Sequence, residues 1–180
     1  NFHRVNRILQ ILNTSSKLTK GKLLDFGSGL GVFPSLMTSN NWQCVAIEPD
    51  DRTVEHLIQT VGLKDVYKKL DQLPNDALNS FDLITLNKVL EHVEDPQSVL
   101  DALVEYLSPT GCIYIEVPDA ETVYRYAQPL EREEFFIEHL HGFTPSSLAL
   151  LLHKSGLLLT QYQTIVEPSS KYTIWAVATK

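Results

Sequence analysis

Three glycines at alternate positions follow the first apolar run of the chain, and an acidic residue follows the second run. Gly27, Gly29 and Gly31 stand in the motif GSGLG, directly after KLLDF. Glycine lets the backbone turn tightly and approach a ligand without obstruction by a side chain. Glu48, directly after CVAI, carries a carboxylate that can accept both hydrogen bonds from a ribose diol. Together, the loop and the acid predict a binding site for a ligand that contains a nucleoside.

The spacing of the glycines argues against a dinucleotide as that ligand. The dinucleotide fingerprint is GxGxxG, and its third glycine would fall at position 32. That position is occupied by Val32, and the third glycine is Gly31. A nicotinamide-dependent oxidoreductase is therefore the weaker alternative, and failure to bind NAD would exclude it.

Two groups of histidines follow predicted strands and could accept a proton from a substrate. His92 comes after Glu91, and a second group, EHLH, contains Glu138, His139 and His141. Imidazole titrates near neutral pH and suits general base catalysis, although each histidine could instead order a loop by hydrogen bonding. A metal site on His139 and His141 is not predicted, because no third or fourth ligand stands at a useful spacing.

The elements that must position these residues alternate between strands and helices. Apolar periodicity predicts helices over residues 4–12, 32–39, 51–61, 96–107 and 145–154, and strands over 22–26, 44–47, 66–70, 81–86, 111–117, 157–166 and 172–179. Such alternation predicts an α/β fold with a mostly parallel sheet that has helices on both faces. The last two strands have no helix between them, so one is predicted to be antiparallel. In such sheets ligands bind beyond the carboxyl ends of the strands, where the candidate residues fall.

Composition limits the partners of the chain. Its 180 residues contain 15 Lys and Arg against 22 Asp and Glu, which gives a net charge of -7 and no support for nucleic-acid binding. The longest apolar runs are about five residues, far short of the roughly 20 that a membrane-spanning helix needs. Cys44 and Cys112 fall in apolar segments, which favours buried thiols in a reducing, cytoplasmic compartment. Oligomeric state is not indicated by any pattern in the sequence.

Four segments resemble the motifs of class I S-adenosylmethionine-dependent methyltransferases of the small-molecule type, in the order of that family. They are LLDFGSGLG at 23–31, AIEPD at 46–50, FDLI through VLEHVEDP at 81–96, and LSPTGC at 107–112. The resemblance runs from about residue 22 to the C-terminus. It implies a Rossmann-like sheet of seven strands with an antiparallel last strand, and S-adenosylmethionine as the cofactor.

The resemblance also implies a role for each matching residue in cofactor binding. The glycine loop would hold the methionine part of the cofactor, the acid after the second strand the ribose, and the residues beyond that acid the adenine. The implied cofactor-binding residues are Asp25, Gly27, Ser28, Gly29, Glu48, Pro49, Asp50, Asp71 and Asn87. Asp71 would contact the adenine ring, and Asn87 would face the sulfonium.

One branch of the family, which includes deoxysugar C-methyltransferases, uses a Glu-His pair for deprotonation. The segment EHLH followed by FTP resembles that branch, although Phe136 stands where those enzymes have a tyrosine. The resemblance to this branch implies catalytic roles for His139 and Glu138, and a role for His92 is implied separately because the pair Glu91-His92 is frequent in the family.

We expect a single domain over residues 1–180, with an N-terminal helix within 1–20 and an insertion at 118–144 that covers the pocket. The predicted function is methylation of an oxygen or carbon of a small molecule, such as a sugar or a quinone precursor. The alternative is a cofactor-binding regulatory or interaction module of a longer protein, without catalysis.

Overall fold

Seven strands form one mixed sheet in the computed structural model, which describes residues 2–15, 18–126, 132 and 135–180. In chain order the strands are β1 (Lys22–Phe26), β2 (Gln43–Ile47), β3 (Asp65–Tyr67), β4 (Phe81–Asn87), β5 (Leu107–Pro118), β6 (Leu158–Val166) and β7 (Tyr172–Thr179). Their order across the sheet is β3-β2-β1-β4-β5-β7-β6.

The directions of the strands confirm the predicted fold class. β1 pairs in parallel with β2, and β2 with β3, whereas β7 is antiparallel to both β5 and β6. β7 reverses direction because only a short turn joins it to β6, and a parallel return would need a longer crossover. The middle of β1 is buried throughout, which is typical of a parallel strand covered on both faces.

Six α-helices, together with shorter helical turns, connect the strands in the described residues. The α-helices are α1 (Phe2–Ser15), α2 (Val32–Ser39), α3 (Asp51–His56), α4 (Pro96–Val104), α5 (Ala120–Tyr126) and α6 (Pro145–Lys154). A π-helical turn covers Leu57–Val61, and 3-10 turns cover Leu70–Gln72 and Asn75–Ala77. None of the helices in this part of the chain is long and apolar enough to cross a membrane.

Several predicted boundaries differ from the structure. The helix predicted over 51–61 continues beyond His56 as a π-turn, which ends at Gly62 in the left-handed conformation. Within that turn Leu57 is fully buried against Ala46 and Leu63. The π-turn, which is wider than an α-helical turn, thus coincides with tertiary packing of Leu57. The third strand is Asp65–Tyr67 and does not reach residue 70.

The fourth predicted helix is also shorter than expected, because α4 ends at Val104 and Leu107 already begins β5. The sequence around Leu107 is apolar and suits either element. The N-terminal helix predicted within residues 1–20 covers Phe2–Ser15, and residues 16 and 17 lie outside the described residues. Residues 127–131, 133 and 134 of the predicted insertion also lie outside them.

The chain divides into two compact units. The first contains Asn1–Thr85 and Tyr106–Gly111, and the second contains Leu86–Glu105 and Cys112–Lys180. Each unit has buried apolar side chains of its own, such as Leu23 and Met37 in the first and Ile115 and Leu152 in the second. The predicted cofactor residues belong to the first unit apart from Asn87, and the predicted catalytic residues belong to the second.

Candidate active site

The glycine loop after β1 is fastened to the end of β2. The backbone amides of Gly27 and Ser28 both donate hydrogen bonds to the carbonyl oxygen of Ile47, at 2.9 and 3.2 Å. The hydroxyl of Ser28 donates to the carbonyl oxygen of Asp25 at 2.9 Å. These bonds fix the course of the loop before it enters α2.

Glu48 is held against this loop by both of its carboxylate oxygens. The backbone amide of Gly29 donates to Oε2 at 2.8 Å, and the amide of Asp50 donates to Oε1 at 3.2 Å. The side chain is half-buried, and an ionised carboxylate has about four lone-pair sites, so it can accept further hydrogen bonds. The carboxylate is therefore oriented and still able to receive two hydroxyl groups.

The space at Gly29 fits a ligand that lies close to the backbone. The φ angle of Gly29 is 50°, and a Cβ built there would meet no heavy atom within 4 Å. An open approach beside an oriented carboxylate is the arrangement that an adenosine-bearing cofactor requires. The residues of the loop and of Glu48 thus fit the cofactor that the resemblance implies.

Asp25 lies deeper than the rest of the predicted cofactor residues of the first unit. Its side chain is 1% exposed, and the hydroxyl of Thr85 donates to Oδ1 at 2.7 Å. A buried carboxylate needs such partners, because burying a charge without them is costly. Thr85 is a residue that the sequence analysis missed, since nothing in an apolar strand marks one threonine as the partner of a distant acid.

Pro49 and Asp50, which follow Glu48, are exposed, and the Asp50 side chain caps a helix. The side chain of Asp50 accepts hydrogen bonds from the amide and the hydroxyl of Thr53, at 2.9 and 3.1 Å, and so forms the N-cap of α3. These bonds lower the pKa of Asp50 below its usual value. Pro49 is exposed beside it, and Asp71 is exposed on the 3-10 turn Leu70–Gln72.

In the second unit, β4 ends at Asn87, which is half-buried. Lys88 follows with a φ angle of 63°, a conformation that non-glycine residues seldom adopt and that is frequent at functional sites. Its amide donates to the carbonyl oxygen of Glu116, and its Nζ donates to Oγ1 of Thr173 at 2.6 Å. The turn at Lys88 directs the chain toward Glu91 and His92.

A buried acid and two histidines meet at this turn. Glu91 is 0% exposed, and ligand atoms of Glu91, His92 and His139 all lie within 4.8 Å of one another. The two imidazole rings are 4.7 Å apart between centroids and meet edge to face. Burial raises the pKa of Glu91, and the positive charges of Lys88, His92 and His139 oppose that rise.

The acid that accompanies the histidines is Glu91, and the predicted partner Glu138 contributes its backbone. Nδ1 of His92 donates to the carbonyl oxygen of Glu138 at 2.9 Å, while the Glu138 side chain is exposed. The sequence analysis noted Glu91 beside His92 and gave it no catalytic role. Its burial, which makes it chemically distinctive, depends on packing that no local pattern reveals.

Comparison with known proteins agrees with this geometry. A family model described as a methyltransferase domain matches residues 1–162. The ubiquinone biosynthesis O-methyltransferase of Yersinia pestis (strain Pestoides F) is 28% identical over 128 residues, which are 67% of this chain and 53% of that protein. The chain thus spans about half the length of the curated relatives that it matches.

Solved structures share the fold. A SAM-dependent methyltransferase from Methanosarcina mazei superposes with a TM-score of 0.69 at 18% identity, over 91% of this chain and 93% of that one. The 1,6-didemethyltoxoflavin-N1-methyltransferase of Burkholderia thailandensis, solved with bound 1,6-didemethyltoxoflavin and S-adenosylhomocysteine, gives a TM-score of 0.72 at 18% identity, over 98% of this chain and 78% of that one. With its glycine loop, its oriented acid and a family match over most of its length, the chain belongs to the methyltransferase-domain family.

Proposed function

We propose that this chain transfers a methyl group from S-adenosylmethionine to an oxygen or carbon atom of a small molecule. The observation that carries the proposal is the Glu48 carboxylate, which is held at the glycine loop by the amides of Gly29 and Asp50. The family match over residues 1–162 supports methyl transfer as the chemistry.

S-adenosylmethionine, the methyl donor of this class of enzyme, supplies an electrophilic methyl group on a sulfonium. Glu48 accepts hydrogen bonds from the ribose hydroxyls, and the open backbone at Gly29 admits the cofactor at close range. The second unit contributes the groups that act on the acceptor. Methyl transfer neutralises charge as it proceeds, so these groups mainly align the nucleophile and exclude water.

The acceptor must lose a proton if it reacts through a hydroxyl group or a carbon atom. His92 and His139 carry imidazoles that can accept this proton, and the buried Glu91 carboxylate beside them stabilises the imidazolium that forms. Unlike the aspartate of a catalytic triad, which is hydrogen-bonded to its histidine, Glu91 acts through its charge, because its carboxylate oxygens make no hydrogen bond within the described residues. The Glu138 carboxylate is not needed for this arrangement.

An apolar acceptor suits the second unit. A cavity of about 580 Å³ is lined mainly by Ala120, Tyr124, Phe135 and Gly142, and its volume is in the range of small-molecule sites. Tyr124 is 75% exposed and offers an aromatic surface to a planar ligand. The name of the Yersinia relative, a ubiquinone biosynthesis O-methyltransferase, supports a phenolic quinone precursor as the first class of acceptor to test.

Calorimetric titration with S-adenosylmethionine tests the cofactor site. We expect Glu48→Gln to weaken binding by about 10- to 150-fold, because a charge-assisted hydrogen bond contributes about 1.5–3 kcal/mol. Glu55→Gln is the matched control, since Glu55 is an exposed acid on α3 whose carboxylate accepts a hydrogen bond from the Gln59 side chain. Equal affinities for the two variants would overturn the proposed role of Glu48.

Turnover distinguishes an enzyme from a cofactor-binding module. Release of S-adenosylhomocysteine is measured with a panel of catechols, phenols and sugars, for the wild type and for His139→Ala. We expect turnover with at least one phenolic acceptor and its loss in the variant, with cofactor affinity retained. Cofactor binding without turnover on any acceptor would favour the regulatory or interaction module.

The cysteines support a reducing compartment. Cys44 is buried on β2, and Cys112 is half-buried on β5. We infer that the protein works in the cytoplasm, where thiols remain reduced.

A further inference from the structure

Glu91, one of the buried acids of the second unit, has carboxylate oxygens without hydrogen-bond partners in the described residues. Its side chain is 0% exposed. Buried carboxylates in native proteins are normally paired, hydrogen-bonded or bound to a metal. The positive charges of Lys88, His92 and His139 lie near it, and its two carboxylate oxygens remain able to accept a ligand.

Two imidazoles approach this carboxylate from separate parts of the chain. His92 follows Glu91 directly, whereas His139 comes from the segment after α5, and one ligand atom of each of the three residues lies within 4.8 Å of the other two. In a tetrahedral site with bonds of about 2.1 Å, ligand atoms are about 3.4 Å apart. The distance between any two of these ligand atoms thus has to shorten by no more than about 1.4 Å for the three to reach tetrahedral spacing.

The hydrogen bonds around the histidines are those of a metal site. His92 donates its Nδ1–H to the carbonyl oxygen of Glu138 at 2.9 Å, which leaves the lone pair on Nε2. Histidines that bind metals almost always donate their other ring N–H to a carbonyl or carboxylate, which fixes the tautomer and the ring orientation. His92 is therefore in the tautomer that binds a metal through Nε2.

The segment that carries His139 is fastened to Glu91 itself. The amides of Leu140 and His141 donate to the carbonyl oxygen of Glu91, at 2.7 and 3.3 Å, and Nε2 of His141 donates to the carbonyl oxygen of Val93 at 2.9 Å. These bonds lie on either side of the cluster and hold the two segments together. Backbone hydrogen bonds thus join the segment of His139 to the segment of Glu91.

We propose that Glu91, His92 and His139 form a binding site for a divalent transition metal of the zinc type. Two imidazoles and one carboxylate are the ligand set of catalytic zinc sites, which keep a fourth position open for a water or a substrate oxygen. Mg²⁺ and Ca²⁺ prefer oxygen ligands and are excluded by the two nitrogen donors. The ammonium group of Lys88, which lies near the cluster, donates a hydrogen bond to the hydroxyl of Thr173.

One consequence rests on the proposed function. An imidazole whose lone pair binds a metal cannot accept a proton at the same atom. In the metal-bound form, an acceptor hydroxyl in the open position would lose its proton to water, because the ion would lower the pKa of that hydroxyl. In the metal-free form, the imidazole itself would accept the proton.

Metal binding is measured on protein without an affinity tag, stripped with a chelator, in the absence of methyl donor and acceptor. Zn²⁺ is titrated by calorimetry, and Co²⁺ by the visible absorption bands of its tetrahedral complexes. We expect one ion per chain, and tetrahedral Co²⁺ bands that Zn²⁺ removes and excess Mg²⁺ does not. Because neither donor nor acceptor is present, this result is independent of the cofactor titration and of turnover.

Variants assign the site to its residues. We expect Glu91→Gln and His139→Ala to weaken Zn²⁺ binding by more than about 100-fold, since loss of second-shell partners alone costs 10- to 100-fold. His92→Ala, at an exposed position, serves if Glu91→Gln fails to fold by circular dichroism. His153→Ala is the matched control, because His153 is an exposed histidine at the end of α6 and should leave the affinity unchanged. Absence of one-to-one binding by the wild type, or equal affinities in all variants, would overturn the proposal.

Discussion

The hydroxyl of Thr85 donates a hydrogen bond of 2.7 Å to Oδ1 of the buried Asp25, although the two residues are 60 positions apart. Asp25 lies on β1, directly before the glycine loop, and Thr85 lies on β4. The contact ties the position of the acid to the register between two strands of the sheet. Thr85 therefore helps to fix the orientation of the Asp25 carboxylate at the start of the glycine loop.

Thr85→Val should therefore destabilise the protein while preserving the shape of the side chain. It removes one hydrogen bond from a buried carboxylate, and we expect the free energy of unfolding to fall by about 1–3 kcal/mol. Urea denaturation measures the change. Thr60→Val, at an exposed position, is the control and should change stability by less than about 0.5 kcal/mol. A Thr85→Val variant as stable as this control would show that the contact does not hold Asp25.

Gly31 should tolerate alanine less well than Gly62, although both have left-handed backbones with φ angles of 74° and 78°. A Cβ at Gly31 would lie 2.4 Å from Cδ2 of Leu57, whereas a Cβ at Gly62 would meet nothing within 4 Å. Both substitutions incur the left-handed penalty of about 1–2 kcal/mol. We expect Gly31→Ala to lose about 1–3 kcal/mol more, from overpacking, in urea denaturation.

Replacing Leu57 with alanine should also remove the clash between its side chain and a Cβ at residue 31. In a Leu57→Ala background, Gly31→Ala should cost about as much as Gly62→Ala does, because the colliding methyl group is absent. A double-mutant cycle by urea denaturation gives the coupling energy between residues 31 and 57. A coupling energy near zero would mean that backbone strain accounts for the whole effect.

The pH dependence of stability tests the cap at Asp50. Hydrogen bonds from Thr53 lower the folded-state pKa of Asp50 from its ordinary value of 3.8. The stabilisation is therefore fully present above pH 3.8 and is lost as the pH falls through the lowered folded-state pKa. We expect Asp50→Ala to lower the Tm at pH 6, with the difference from wild type shrinking at acidic pH.

A neutral cap separates the charge of Asp50 from its geometry. Asp50→Ser keeps an oxygen that can accept from Thr53 and should restore much of the Tm lost in Asp50→Ala. Its Tm difference from wild type should depend less steeply on pH than that of the alanine variant. If both variants behave alike at every pH, the side chain of Asp50 does not cap α3.

Cys44 should be unreactive in the native protein. Burial raises the pKa of its thiol to about 11, so at pH 8 only about one molecule in a thousand carries the reactive thiolate. In a Cys112→Ser variant, we expect a thiol-specific chromogenic disulfide to react with Cys44 only after guanidinium is added. Rapid reaction without denaturant would contradict the buried state of this thiol.

The sequence by itself determined the features that depend on neighbours along the chain. The glycine loop, the acid that ends the next strand, and the bounds of α2 and α6 all followed from local spacing. Thr144 directly precedes the helix predicted over 145–154, and as the N-cap of α6 its side chain accepts from the amide of Ser147 at 3.1 Å. These features are local because turns, caps and amphipathic periodicity involve residues only a few positions apart.

Only the tertiary structure decided which groups became buried and which distant groups met. Glu91 could not be distinguished from an exposed acid in the sequence, yet packing removes it completely from solvent. His92 and Glu138 are 46 positions apart, and their contact arises because backbone hydrogen bonds join their two segments. Burial and long-range contacts depend on the packing of the whole chain, so the chemistry of this cluster becomes visible only when the chain is folded.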